Sequence, residues 1–213
     1  QDGNTMRKID TQILRDTSKR LLRNRREKRR TGMYPLDMLL LYITMRCNAR
    51  CEHCFCWEDL NVGIPEMNLE QIEQLAESVP PFRHLVLTGG EPTLRKDLPE
   101  IFAAFARLGK VETVLVNSNG LKPALIAEQT EKIKSEFPDV GLDWQISIDG
   151  LEKTHDRIRG VPGNFQKAIE TLRVVRDMGK EYPNLAGHVL TVITDRNYDQ
   201  LVGLNDYLRE NVS

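Results

Sequence analysis

The chain has 213 residues, 40% hydrophobic and 29% charged, with a net charge of −1, which fits a globular protein with one sizeable core in one or two domains. Its longest apolar stretch, residues 38–45, is too short to span a bilayer, and residues 1–20 are too polar for a signal peptide. The four cysteines are clustered and show no pairing pattern, which fits a reducing, cytoplasmic setting.

The charge is unevenly spread. Residues 15–30 carry nine basic and two acidic side chains, a local +7 that leaves −8 for the rest of the chain. Such a run can meet nucleic acid or an acidic membrane surface. No aromatic residue interleaves it, and Ile9, Ile13, Leu21 and Leu22 give it a thin apolar stripe. The favoured reading is therefore a solvated basic helix forming an N-terminal extension over residues 1–35, with no nucleic-acid partner. The opening Gln1, in place of an initiator Met, fits a piece of a longer protein.

After Pro35 the pattern becomes regular. An apolar run at 36–44 reads as a first strand and leads into the cysteine loop. Leu69, Ile72, Leu75, Ala76 and Val79 share one helical face, with Asn68 placed as its cap. The second strand, 84–88, ends in GGEP. Asp97 is placed to cap the next helix, whose face is Ile101, Phe102, Phe105 and Leu108, and Gly109 stops it. A third strand at 111–117 ends in SNG, a helix follows at about 124–136, and a fourth strand at 143–149 ends at Gly150. A longer connection leads to a helix near 164–178 and a fifth strand at 187–194. Asn197 is expected to cap the last helix, which carries Leu201, Leu204 and Leu208 on its face.

Five alternating strand and helix units predict an α/β fold with parallel pairing and right-handed crossovers, either a partial barrel or an open wound sheet. The chemistry-bearing residues fall at strand C-terminal ends, where parallel barrels gather their sites. A sixth strand would be due shortly after residue 210, beyond Ser213, so the expected core, residues 36–213, lacks its last unit.

Three cysteines stand as C-x3-C-x2-C, at Cys47, Cys51 and Cys54, with Cys56 two residues on. Closely spaced thiolates suit a cluster of soft metal ions better than disulfides or a hard cation. A four-iron cluster usually takes four cysteines, so three would leave one iron open to a ligand. The alternative is structural zinc on these cysteines with Cys56 or His53, although zinc sites usually draw a second ligand pair from a distance and this chain has none. Gly89 and Gly90 allow close backbone approach to a ligand, and Glu91 beside them can accept from an ammonium group. Ser118 and Asn119 bring hydroxyl and amide groups to the third strand end, in what is otherwise a turn sequence. Ser147 and Asp149 share a face, and Arg159 stands twelve residues past Ser147 in HDRIRG, where His155 and Asp156 read as loop-ordering residues.

Together these motifs resemble the radical S-adenosylmethionine (radical SAM) superfamily over roughly residues 36–213, closest to its SPASM and sulfatase-maturing, peptide-modifying groups. The resemblance implies a partial barrel of six units, five of them present here. It implies a [4Fe-4S] cluster on Cys47, Cys51 and Cys54, with Cys56 as a non-ligand. S-adenosylmethionine (SAM) would chelate the open iron, its amino group near Gly89, Gly90 and Glu91. Ser118 and Asn119 would reach the ribose, and Ser147 and Arg159 the ribose and carboxylate. The His53 ring and Leu190 would pack on the adenine. The implied reaction is reductive cleavage of SAM to a 5′-deoxyadenosyl radical, which takes a hydrogen atom from a substrate, a peptide or protein being the implied class. The electron would come from a flavodoxin or ferredoxin.

Overall fold

The computed structural model describes residues 11–212. The chain divides into two compact units, Gln1–Asp37 and Met38–Ser213. In the first, helix α1 spans Thr11–Thr31 and ends on Lys28, Arg29 and Arg30, cations that favour the negative end of a helix dipole. Leu21 and Leu22 are exposed on it. Of the expected apolar stripe, Ile9 and the side chain of Ile13 lie outside the described residues.

The second unit is one sheet of five parallel strands in the order β1-β2-β3-β4-β5. They are β1 (Met38–Thr44), β2 (His84–Gly89), β3 (Thr113–Ser118), β4 (Gly141–Ser147) and β5 (Leu185–Leu190). The helices between them are α2 (Leu69–Ser78), α3 (Leu98–Ala106), α4 (Pro123–Glu136), α5 (Glu152–Arg159) and α6 (Asn164–Met178), and α7 (Leu201–Asn211) follows β5. Strand order equal to chain order means every connection moves one strand along the sheet, as in a partial barrel.

Alternation decides which side chains meet the helices. Leu85, Leu87, Val114, Val116, Leu142, Trp144 and Ile146 are buried, and Trp144 Nε1 donates to Thr130 Oγ1 of α4 at 2.9 Å. The intervening residues face the opposite side, where Tyr42, Thr88, Asn117, Ser147 and Leu190 line one cavity. The helices are apolar toward the sheet: Ile101, Phe102 and Phe105 in α3, and Phe165, Ile169, Leu172 and Val175 in α6, are all buried. Asn68 caps α2 in a capping box with Gln71.

Several local expectations are corrected. Asp97 precedes α3 without a side-chain cap bond, because its carboxylate is engaged by Arg95 through two hydrogen bonds of 2.7 and 2.6 Å. Helix α3 closes at Ala106, so Leu108 lies beyond it and is exposed. The connection after β4 holds a further helix, α5, in which Ile158 is the one apolar residue, so its buried face of His155, Ile158 and Arg159 forms no apolar stripe to read. Strand β5 ends at Leu190 rather than 194. Asn197 does not cap α7, since a short 3-10 turn (Tyr198–Gln200) intervenes. Its amide instead donates to the carbonyls of Asp149 and Val192, both at 2.8 Å, and so ties β4 to the segment after β5. Among the described residues no helix is long and apolar enough to cross a membrane.

Candidate active site at the strand ends

The cysteines lie on an irregular loop between β1 and α2, which must find its hydrogen bonds outside regular structure. It finds them at three anchors. Asn61 accepts from the Cys47 N–H at 3.0 Å and donates to the Cys47 carbonyl at 3.1 Å. The last carbonyls of α5 receive the two N–H groups that flank Cys51: Arg50 N–H to Arg159 O at 3.1 Å, and Glu52 N–H to Ile158 O at 2.8 Å. Helix ends leave such carbonyls without intrahelical donors, so α5 offers ready acceptors. Gly160, at φ 66°, ends the helix, and a Cβ there would lie 2.5 Å from the Arg50 carbonyl oxygen. The third anchor is the Asn119 amide, which donates to Asn48 Oδ1 at 2.8 Å.

All four cysteines are unpaired and half-buried, and all line one cavity of about 320 Å³ at the C-terminal end of the sheet. Burial pushes the Cys47 thiol up to about 11, and Glu91, Cys51 and Cys54 push the same way. Burial also raises Cys51, against the lowering pull of Arg159. Metal binding must therefore displace protons from thiols that the protein alone keeps neutral. Among the described residues no three of His, Cys, Asp and Glu converge closely enough to hold one ion. A zinc ion needs four such ligands within about 2.3 Å, whereas an iron–sulfur cluster spans a wider gap between its thiolates. Three cysteine thiols on one cavity are the donor set that a four-iron cluster with one open iron would take.

Gly89, Gly90 and Glu91 line the cavity beside the thiols. They continue the parallel ladder past β2: Gly90 N–H donates to Thr44 O at 2.7 Å and Glu91 N–H to Arg46 O at 2.8 Å. A Cβ at Gly89 or Gly90 would collide with those same carbonyls of β1 and its loop, so the glycines permit the approach. Glu91 is 1% exposed. Its Oε1 accepts from Thr93 N–H at 3.2 Å, Thr93 Oγ1 at 2.7 Å and Ser118 Oγ at 2.9 Å, and its Oε2 accepts from Asn119 N–H at 2.7 Å. Burial raises the carboxyl, and these donors pull it back down. Ser118 and Asn119 also line the cavity, but the Ser118 hydroxyl and the Asn119 N–H are spent on Glu91 rather than left free for a ligand.

The opposite wall is charged. Asp149, fully buried past the end of β4, stands 2.6 Å from Arg159 Nε through Oδ2. The Nε–H does not point along that contact, so it is an ion pair rather than an aligned hydrogen bond. Arg159 Nη1 also reaches Cys51 Sγ at 3.6 Å. His53 places Nε2 3.7 Å from the same Asp149 oxygen, and burial lowers its pKa, so near neutral pH the ring is uncharged. Asp149 is held by Val192 N–H on Oδ1 at 3.0 Å, and its own N–H donates to His155 Nδ1 at 3.0 Å. Asp156 accepts from Gly163 and Phe165 N–H at 2.5 and 2.8 Å, ordering the entry to α6. Ser147, Leu190, His53 and Arg159 line the cavity, and the Ser147 hydroxyl makes no hydrogen bond among the described residues.

The geometry thus gathers the expected metal and cofactor residues around one cavity, leaves Asp149, His155 and Asp156 off its lining, and adds Tyr42, Thr88 and Asn117 to it, with Val192, Ala49, Phe55 and Leu60. The first three carry a readable signal, since each lies on the strand face opposite the buried residues. Val192 lies past the end of β5 and carries none.

The family model described as "Radical SAM superfamily" matches residues 41–208. The chain is 34% identical over 140 residues to the Fe-coproporphyrin III synthase of Methanosarcina barkeri, covering 64% of this chain and 33% of the relative. It is 29% identical to the pre-heme d1 synthase of Dinoroseobacter shibae, covering 78% and 39%, and 29% identical to a probable GTP 3',8-cyclase of Archaeoglobus fulgidus, covering 77% and 53%. This chain therefore spans about a third to a half of these curated relatives. Among solved structures, Streptococcus suis SuiB superposes with a TM-score of 0.64 at 20% identity, over 99% of this chain and 44% of that one. The anSMEcpe structure with AdoMet and the Cp18Cys peptide gives 0.58 at 18% identity, over 83% and 48%. Both show the same fold.

Proposed function

The chain belongs to the radical SAM superfamily, and we propose that it carries that family's cofactor site on its own residues: a [4Fe-4S] cluster on Cys47, Cys51 and Cys54, with SAM in the cavity beside it. The observation that carries this reading is the convergence of three unpaired thiols, the GGE turn and Arg159 on one cavity at the C-terminal end of a parallel sheet. Cys47, Cys51 and Cys54 would hold the cluster, and the chemistry it would supply when bound and reduced is one-electron cleavage of SAM to methionine and a 5′-deoxyadenosyl radical that takes a hydrogen atom from a substrate. Glu91, with its Oε2 accepting a single protein hydrogen bond, offers negative charge to the SAM ammonium. Ser118 and Asn119 serve by holding Glu91 in place. Arg159 supplies positive charge toward the SAM carboxylate, its planar fork suiting that group. The free Ser147 hydroxyl suits the ribose, and His53 and Leu190 offer ring and apolar surface to the adenine.

In this reading residues 36–213 form the cofactor-binding core, and residues 1–35 a basic extension outside it. A peptide is the proposed substrate class, on the Ser147 to Arg159 separation. A second reading, a small organic substrate, is favoured by the names of the curated relatives at 29–34% identity. A flavodoxin or ferredoxin is the proposed electron donor, and the four unpaired cysteines fit a cytoplasmic location.

Anaerobic reconstitution with iron and sulfide tests the core of this reading. It should give one four-iron cluster per chain, lost in Cys47→Ala, Cys51→Ala or Cys54→Ala and kept in Cys56→Ala. The reduced protein should bind SAM and release 5′-deoxyadenosine, read by chromatography. Tetrahedral zinc with no uptake of iron would defeat the proposal.

A further inference from the structure

Arg159 is the cation with the most direct line to a thiol of the site. It is 8% exposed and stands between the Asp149 carboxylate at 2.6 Å and the Cys51 Sγ at 3.6 Å. Neither end is loose. Asp149 is pinned through its side chain by Val192 N–H and through its backbone by His155 and Asn197. Arg159 is pinned through its own carbonyl by the N–H of Arg50, the residue next to Cys51. The guanidinium and the thiol thus move together, as one unit of α5 and the cysteine loop.

Buried charges act strongly on one another, because little water lies between them to screen the field. Adding an electron to an iron–sulfur cluster places negative charge on its sulfurs, and donors to those sulfurs favour the reduced form. We infer that Arg159 sets the reduction potential of the cluster through Cys51, and that Asp149 is the counter-charge limiting how much of that field the cluster receives. The inference rests on the cluster reading above but goes beyond it, since it assigns the guanidinium a role before any SAM is bound. It also predicts a sign. Removing the cation disfavours the electron, whereas removing its counter-anion favours it.

The test is a redox titration of the reconstituted chain without SAM, followed by the visible and paramagnetic signals of the cluster. Iron and sulfide content and circular dichroism are measured alongside. Arg159→Gln should move the midpoint potential to more negative values, and Asp149→Asn to more positive values. Arg159→Lys, which keeps the charge but loses the planar fork, should fall between the unaltered chain and Arg159→Gln, and it carries the test if Arg159→Gln does not assemble. A purely structural Arg159 would lower iron content in both variants without moving the potential in opposite directions. Shifts of the same sign, or an unmoved potential in a fully loaded Arg159→Gln or Arg159→Lys protein, overturn the inference and leave the cluster reading standing. Failure of the unaltered chain to assemble a cluster removes both.

Discussion

On the β2–β3 side of the cavity, Glu91 is enclosed by neutral donors: the hydroxyls of Thr93 and Ser118 and the N–H groups of Thr93 and Asn119. On the β4–β5 side, Asp149 also faces a cation, Arg159, with His53 close by. The two carboxylates occupy matching places, each just past the end of a strand, yet their surroundings differ in kind. Neutral donors fix position without adding net charge, so among the described residues no cation on the Glu91 wall competes with a ligand for the carboxylate. The Asp149 wall largely cancels its own charge and divides what remains between the guanidinium and the cysteine loop. The comparison suggests that one wall is built to attract a cationic group, and the other to hold and bias the metal centre.

The largest effect should come from breaking the neutral wall. Glu91→Ala removes the acceptor for four buried donor contacts at once. Unpaired buried donors cost about 1–3 kcal/mol each, and partial rearrangement makes a total of about 4 kcal/mol reasonable. Urea unfolding should register that loss, and Glu91→Gln, which keeps a carbonyl acceptor, should lose markedly less. Equal losses in the two variants would mean that the charge of Glu91, rather than its accepting geometry, holds the wall together.

The second effect separates the walls by pH. His155, fully buried behind Asp149, accepts the Asp149 N–H on Nδ1, so the folded protein needs its ring neutral. Burial, with help from Arg159, lowers its pKa from the ordinary 6.5 to about 4. As the pH falls below about 6.5, the unfolded chain takes up a proton that the folded chain refuses. Stability is therefore lost progressively from pH 6.5 down to about 4, by roughly 3 kcal/mol in all. Glu91 runs the other way: burial holds its folded pKa up, so its own contribution grows as the pH falls. Denaturant titrations of the unaltered chain and of His155→Gln between pH 7 and pH 4.5 isolate the histidine term as their difference. A constant difference across that range would show that His155 is not held neutral.

The two walls were unequally legible in the sequence. The strands, the helix faces and the GGE turn announce themselves through alternation, helical spacing and paired glycines. The cysteines do so through spacing alone. Ser118 and Asn119 were visible as polar residues at a strand end, but their task of holding Glu91 depends on a parallel pairing that brings residues 27 and 28 positions apart into contact. Helix α5 is short and polar, so no apolar stripe marks it, and its service to the cysteine loop runs through backbone carbonyls that no side-chain pattern encodes. Asn197 looked like a cap because a helix follows it. Its amide is drawn instead to the carbonyls of Asp149 and Val192, partners set by tertiary packing.

The smallest of these effects probes that backbone attachment directly. Gly160 closes α5 in the left-handed region at φ 66°, and its absent Cβ leaves room for the Arg50 carbonyl at 2.5 Å. Gly160→Ala meets two penalties, the strained backbone and the contact with Arg50, together worth about 2 kcal/mol. Asparagine tolerates the left-handed region better than alanine, so Gly160→Asn relieves most of the first penalty and none of the second. If only the fold of α5 depends on this glycine, Gly160→Asn should restore both melting temperature and iron content. If the approach of the cysteine loop depends on it, Gly160→Asn should recover only part of the melting temperature while iron per chain stays low, because the Arg50 carbonyl sits one residue from Cys51. The second outcome is expected, since the Arg50 and Glu52 N–H groups both bond to α5 and any displacement of the loop there moves Cys51 with it.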